Sequence, residues 1–552
     1  MNRLLLSALL GLIAGPALAQ APDLVLTGGK VFTANPARPW VQALAVRGRR
    51  VVAVGTSAAI ARLAGPRTRR VALGGRTVVP GFNDAHAHLP QGYPGSATFL
   101  FPQAPLLAGP APAALLDTLA ALAARTPPGT WLEGDVGLRV LRDPRPWRAV
   151  LDSVCPRHPV VLHTPWGHGA WYSSAGLRAL SIQDETPDPV GGTLARDAGG
   201  HLTGWLTEYA DWNARRELQG HLPDSLWARQ LRRYGQEAVQ WGVTSVQDMA
   251  SELPPAQMLR VTRLANLPLR HRLIAFPLTT PAGIRYGEWR GLDPHPAPLA
   301  RLGGVKYIVD GTTLEQGAAQ RHPYFGRLGW YGQLNFAPDT VRRILQRALR
   351  PGAEPLLLHV IGDSTAATVL RLMAGLAPAA TWHRERVRFE HGDGLLPDLL
   401  PQARALGVVV VQNPTHHLNP AVDAQFGVPD TVSPTWFATV LRAGLPLAFG
   451  SDGPANPFLN ILAATTLANP HERLTRAQAV QAYTTGSAYA EFAEHEKGRL
   501  APGYLADLAV LSQDIFVVPA EALPATTSLL TLVDGRVVWA AGPYSRLRRA
   551  RQ

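Results

Sequence analysis

A chain of 552 residues, 46% hydrophobic and 17% charged, is longer than one ordinary globular unit and holds ample material for a buried core, which excludes general disorder. The 53 Lys and Arg against 40 Asp and Glu give a formal charge of +13, yet no zinc finger or RNA-binding motif accompanies the excess. It reads as an arginine-heavy composition with a basic tail (Arg546, Arg548, Arg549, Arg551), not as a nucleic-acid footprint.

The chain opens with Arg3, the apolar run Leu4 to Ile13, and Pro16-Ala17-Leu18-Ala19. Small residues on either side of Leu18 predict a secretory signal over residues 1–19, cleaved after Ala19, and hence an exported protein, periplasmic or extracellular, without a membrane anchor. No cysteine ends the signal, which argues against a lipid-modified N-terminus. The one cysteine, Cys155, excludes an intramolecular disulfide, so stability has to come from burial.

Residues 22–79 alternate short β-branched runs with turns: Leu24 to Leu26, Lys30 to Phe32, Ala43 to Val46, Val51 to Val54 and Thr77 to Val79. Residues 496–545 repeat the theme at Ala506 to Leu511, Leu529 to Val533 and Arg536 to Trp539. Two β-rich ends can pair into one domain, since chain termini often lie close together.

The middle, 80–495, mixes helix-like segments (Pro112 to Ala124, Leu226 to Trp241, Pro338 to Leu349, Asp363 to Leu376) with short apolar strands. The strands are Thr244 to Gln247, Arg272 to Ala275, Val305 to Val309, Leu356 to His359, Val387 to Glu390, Val408 to Val411 and Leu447 to Gly450. This alternation predicts parallel βαβ units. In a parallel barrel the strand ends converge on one face, where active sites sit. The stretch from about 89 to 209, rich in Pro, Gly and Trp, is too long for one barrel loop and is read as an insertion forming a lid or pocket wall. Trp131, Trp166, Trp171 and Trp205 are candidates for aromatic walls there, or for simple packing.

Polar residues with ligand chemistry fall where strands end. His86 and His88, directly after Thr77 to Val79, are two apart in an extended segment and so point the same way toward one cation. Alone, such a pair is often a surface coincidence. His359 and His391 each terminate a strand of their own, and either one singly could be a hydrogen-bonded core histidine. Asp452 follows Ala448-Phe449-Gly450-Ser451, where an unpartnered buried carboxylate would be costly and a cation would offset the cost. No Gly-x-Ser-x-Gly elbow is present, which disfavours a serine hydrolase.

This ordered set resembles the metal site of the amidohydrolase superfamily, and more narrowly the branch that includes N-substituted formamide deformylases. The resemblance is carried by Gly167-His168, Thr207-Glu208, Val305-Lys306, Asp310-Gly311, His359-Val360-Ile361-Gly362-Asp363, Arg388-Phe389-Glu390-His391, Asn413-Pro414-Thr415-His416, Ser451-Asp452 and Lys497-Gly498-Arg499-Leu500, across nearly all of the chain after the signal. It implies an α/β fold, a distorted (β/α)8 TIM barrel with a β-sandwich domain built from both chain ends. It also implies a hydrolase of carbon–nitrogen bonds other than peptide bonds (amide, formamide or cyclic amide), acting on a small molecule. One or two divalent metal ions are implied, with zinc the default because imidazole and carboxylate suit it.

By the same resemblance His86 and His88 hold one metal and His359 and His391 the second. Lys306, once carboxylated, bridges them, and Asp452 binds metal and shuttles a proton. A free lysine would repel a metal, whereas its carbamate offers two anionic oxygens; a snorkelling or salt-bridged lysine is the alternative. Glu208 competes as the bridging ligand, with a substrate contact or a supporting hydrogen bond as its other readings. His168 and His416 are candidates to line the substrate pocket and stabilise an oxyanion. A lactone, ester or phosphoester substrate, or a catalytically dead binding protein, remain as other readings, and a homodimer is compatible with the chain. Two departures from the branch stand out: Thr312 to Ala318 replaces its small-residue stretch, and Asn413 stands where it tends to have Gln.

Overall fold

The computed structural model describes residues 20–90, 92–101, 108–164, 166–418 and 436–547, so the predicted signal and most of the basic tail lie outside the described residues. Eight strands form one sheet: β1 (Phe82–Ala87), β2 (Val243–Ala250), β3 (Arg270–Ala275), β4 (Ala300–Ile308), β5 (Leu356–Val360), β6 (Arg388–His391), β7 (Val409–Gln412) and β8 (Leu447–Phe449). Every neighbouring pair is parallel and they follow in chain order. The ends of the sheet meet: the Asp452 N–H donates to the His86 carbonyl at 2.8 Å, and a Cβ on Gly450 would lie 2.4 Å from the His86 Cβ. Glycine is thus needed where β8 closes on β1, and the sheet is a (β/α)8 barrel.

The period of two explains how one strand serves two environments. On β5, Leu356, Leu358 and Val360 join the large core between barrel and helices, while Leu357 packs with Met249 and Ile274 inside the barrel. His359 shares the inner parity. Helices Asp224–Gln240, Pro338–Ala348 and Asp363–Leu376 cover the outside, and their predicted spans agree to within two residues. The β4 strand begins at Ala300, five residues before its predicted start, because the Gly303-Gly304 pair is absorbed into the strand.

The chain ends build the second domain. One sheet holds Leu24–Thr27, Ala43–Arg47, Arg50–Gly55 and Arg69–Ala72; the other joins Lys30–Phe32, Trp40–Val41 and Thr77–Pro80 to Leu508–Leu511, Ser528–Val533 and Arg536–Ala540. The ends meet where Val78 pairs with Val510, antiparallel. Val78, Leu508 and Val510 face the core between these sheets, whereas Val79, Ala509 and Leu511 face the barrel core. Alternation along two strands therefore welds the domains together.

Between β1 and β2 the chain forms a further six-stranded sheet, from Ala97–Thr98 to Leu202–Glu208. The sequence predicts only a lid or wall here, because the strands are short and separated by Pro and Gly. Trp131, Trp171 and Trp205 pack within it, with Trp171 and Trp205 ring centroids 4.9 Å apart, and only Trp166 of the four reaches the barrel mouth. Among the described residues no helix is long and apolar enough to cross a membrane.

Candidate functional site

His86 lies in β1 and His88 just beyond it, and each imidazole is oriented by a partner on its Nδ1. His86 Nδ1 lies 2.6 Å from Glu390 Oε2, a carboxylate oxygen that can only accept, so Nδ1 carries the proton. His88 Nδ1 lies 2.8 Å from Ser251 Oγ, whose own hydroxyl donates to Glu252 at 2.8 Å, so again Nδ1–H donates. His391 Nδ1 lies 2.8 Å from Asn413 Oδ1, and the Asn413 amide is fixed in that sense by Nδ2–H donating to the Gly450 carbonyl at 3.1 Å. All three rings thereby keep Nε2 unprotonated, and that of His86 accepts from Lys306 Nζ at 2.9 Å. His359 is reversed: its Nε2 faces the Gly311 carbonyl at 3.4 Å, leaving Nδ1 bare.

The rings of His86, His88 and His391 gather around Asp452, and His359 stands beside His391 outside this group. Asp452 Oδ1 is 3.8 Å from both His86 Nε2 and His88 Nε2, and its Oδ2 is 3.9 Å from His416 Nε2. Ligand atoms of His86, His88 and Asp452 all lie within 4.8 Å of one another, as do those of His391, His416 and Asp452. The His359 and His391 ring centroids are 4.5 Å apart, and those of His86 and His391 5.1 Å. Burial lowers the pKa of His86, His88, His359 and His391, with the nearby Lys306 adding to it, so the rings are neutral, the form that binds metal. Burial opposes ionisation of Asp452, but the basic groups around it, with Lys306 the cation among them, lower its carboxyl below the usual range. Neutral imidazole nitrogens about a carboxylate fit a borderline divalent cation such as zinc.

Lys306 sits in β4 with Nζ 2.9 Å from His86 Nε2 and is 1% exposed. No carboxylate lies within 4.0 Å of it among the described residues, so the salt-bridged alternative finds no partner, and complete burial leaves no room for snorkelling. Burial pushes its pKa down to about 8, against the opposing pull of Asp452 and Glu390.

Glu208 does not join the cluster. Both its oxygens lie 3.0 Å from His168 Nδ1, and Oε2 accepts from Asn335 Nδ2 at 3.1 Å. A Cβ on Gly311 would come within 2.6 Å of Oε1, so glycine there makes room for the carboxylate. The arrangement makes Glu208 the orienting partner of His168, whose ring centroid is 4.7 Å from that of His359. Burial raises Glu208, and Glu208 in turn pulls His168 up against its own desolvation. His416 packs edge-on to Trp166 at 4.1 Å.

Three of these positions break regular backbone. Glu208, His391 and Asp452 have φ of 53°, 67° and 40° respectively, each just at or past a strand end. The reversal turns side chains from the strand face into the mouth.

A cavity of about 370 Å3 opens over the cluster, walled by Tyr93, Asp135, His163 and Trp166 of the long β1–β2 connection, by Arg215, and by Glu252. The supporting residues Glu390, Ser251, Asn413 and Asp84 were not singled out from sequence as site residues. Asp84 Oδ1 accepts from the Ser451 and His86 amides at 2.8 and 3.2 Å, tying β1 to the end of β8, and burial lifts its carboxyl to about 6. Glu390 is flanked by His391 in sequence, and Asn413 stood out only as a departure, so both were visible as residues without a visible partner.

A model of the amidohydrolase family matches residues 69–539. The chain is 27% identical to the protein LONG AFTER FAR-RED 3 of Arabidopsis thaliana, over 94% of this chain and 91% of that one. It is 26% identical to N-substituted formamide deformylase of Arthrobacter pascens, over 94% and 98% of the two chains. In fold it is similar to the solved structure of an uncharacterized metal-dependent hydrolase from Pyrococcus furiosus, with a TM-score of 0.67 at 22% identity, covering 89% of this chain and 99% of that one.

Proposed function

We propose that this chain, which belongs to the amidohydrolase family, is a metal-dependent hydrolase of carbon–nitrogen bonds other than peptide bonds: an amide, formamide or cyclic amide of small-molecule size. The observation that carries this reading is the set of tied Nδ1 atoms on His86, His88 and His391, which leaves the Nε2 atoms of His86 and His88 3.8 Å from Asp452 and a ligand atom of His391 within 4.8 Å of it at the mouth of the barrel. His86 and His88 would hold one divalent cation, His359 and His391 a second, with Asp452 shared. The cation, zinc by preference, supplies an acidified water and a polarised carbonyl when bound.

The chain's own groups do the rest. Asp452 accepts the proton of the attacking water and returns it to the leaving nitrogen as the carbon–nitrogen bond breaks. His168, aligned by Glu208, and His416, backed by Trp166, present ring nitrogens to the carbonyl oxygen as charge develops there. Lys306, with its pKa pushed down to about 8, has a neutral fraction that can add to carbon dioxide: a bond forms from Nζ to carbon, one proton leaves, and the resulting carbamate would offer two anionic oxygens to the metal site.

Elemental mass spectrometry of protein purified without chelators tests the reading, beside a His86→Ala/His88→Ala control. Metal near one or two equivalents per chain, reduced in the control, with turnover of formamides or amides but not of lactones or phosphoesters, is expected. Metal with turnover only of lactones, esters or phosphoesters keeps the site and replaces the bond. Failure to take up metal on soaking overturns the hydrolase and leaves a binding protein. Export rests on residues 1–19, and N-terminal sequencing of the secreted form should begin at Gln20.

A further inference from the structure

A second cavity, of about 200 Å3, lies at the opposite end of the barrel, where β3 and β4 begin. Its wall carries Arg270, Arg272, Arg301 and Lys497 against the carboxylates Glu491 and Glu496. Arg270 is neutralised by Asp507 and Asp534. Glu491 already serves both Lys497 and Arg301, and accepts from Asn83 Nδ2 at 2.7 Å as well. Glu496 is exposed.

Arg272 is left over. It is 4% exposed, yet among the described residues no carboxylate lies within 4.0 Å of its guanidinium, which makes one hydrogen bond, from Nη1 to Gln247 Oε1 at 3.3 Å. Among the described residues its Nε has no hydrogen-bond partner, and neither has Nδ1 of the neighbouring wall residue His271. A buried guanidinium whose favourable carboxylate, Glu491, is shared with Lys497 and Arg301 and makes no ion pair with it is only partly compensated, and it holds its donors in a fixed fork that matches an oxyanion. The rim is open, because His295 is exposed and Arg301 is 47% exposed at its side chain.

We propose that this cavity is a binding site for a small inorganic oxyanion of the phosphate class, held by Arg272 from inside and Arg301 from the rim. Such an anion adds to the shared counter-charge of Glu491 and accepts from the donors left unused among the described residues. The site is separate from the metal cluster and does not depend on the hydrolase reading.

Calorimetric titration of the full chain with inorganic phosphate is the test, carried out on wild type, His86→Ala/His88→Ala, Arg272→Gln and Arg301→Ala. Saturable binding at or below about 1 mM is expected in wild type, unchanged in the histidine double variant and weakened about tenfold or more in each arginine variant. Arg301→Ala removes an exposed side chain, so it keeps the test alive should Arg272→Gln fail to fold. Binding lost in the histidine variant but untouched in Arg301→Ala would place phosphate at the metal cluster and overturn the proposal, as would no saturable binding by wild type.

Discussion

Glu390→Gln probes what orients the first histidine. The carboxylate is buried inside the barrel, takes two bonds from Arg388 (Nε to Oε1 at 2.8 Å, Nη2 to Oε2 at 3.0 Å) and accepts the His86 Nδ1 proton at 2.6 Å. An amide in its place has one acceptor oxygen for two claimants, and its NH2 must face either the guanidinium or the imidazole N–H. The loss of charge strands Arg388, whose other bonds go to the Gln247 side chain and the Ala85 carbonyl. Removing one partner of a buried ion pair costs about 3–5 kcal/mol, and removing the orienting partner of a metal histidine costs about 10–100-fold in affinity. Thermal unfolding of the metal-free protein reads the first quantity, and competition against a chelator of known affinity reads the second. Both should fall in the variant. Wild-type metal affinity in a variant whose unfolding temperature has dropped would refute the orienting role and leave Glu390 a purely structural partner of Arg388.

Other predictions are independent of that one. Asn413→Leu frees His391 Nδ1 and should lower metal affinity by about tenfold or more, read by the same chelator competition. Gly450→Ala places a methyl 2.4 Å from His86 Cβ and backbone N at the barrel seam, and should destabilise by about 1–3 kcal/mol, seen as a lower unfolding temperature. Glu491 has its pKa lowered from 4.5 to about 2: burial opposes this, but Lys497, Arg272 and Arg301 outweigh it. A depressed carboxylate stabilises above its unfolded pKa and loses that contribution as pH falls through its folded one. Relative to Glu491→Gln, wild type should therefore lead by about 3 kcal/mol near neutral pH, a lead that disappears between pH 4.5 and about 2 in chemical denaturation. A constant lead across that window would contradict the assignment.

The barrel was legible because its strands and helices differ in period, as at Leu356 to His359 and Asp363 to Leu376, and the convergence of His86, His88, His391 and Asp452 was legible because these residues lie at or near strand ends. The wall sheet was not legible: Leu132–Asp135 and Val160–His163 are four-residue strands whose pairing is set by partners far along the chain. Glu208 could be named but not placed, since only the space beside Gly311 sends its carboxylate to His168 and Asn335. Lys306 was placed on the correct strand, while its neighbour within hydrogen-bond distance, His86, is 220 residues away in the chain. Arg272 gave no signal at all, because the lack of a close ion-pair partner has no sequence pattern.

The positive φ at Glu208, His391 and Asp452 bears on how this enzyme responds to selection. A non-glycine residue in that part of conformational space costs about 1–3 kcal/mol, so these three positions carry conformational energy that the rest of the fold must hold in check. Heat resistance selected without an activity screen would find relief there first, through glycine or asparagine, and would erase the functional groups in doing so. At the barrel mouth durability and chemistry are therefore in opposition, and thermostabilised descendants that still work should have gained their stability in the surrounding helices and at the seam between the domains.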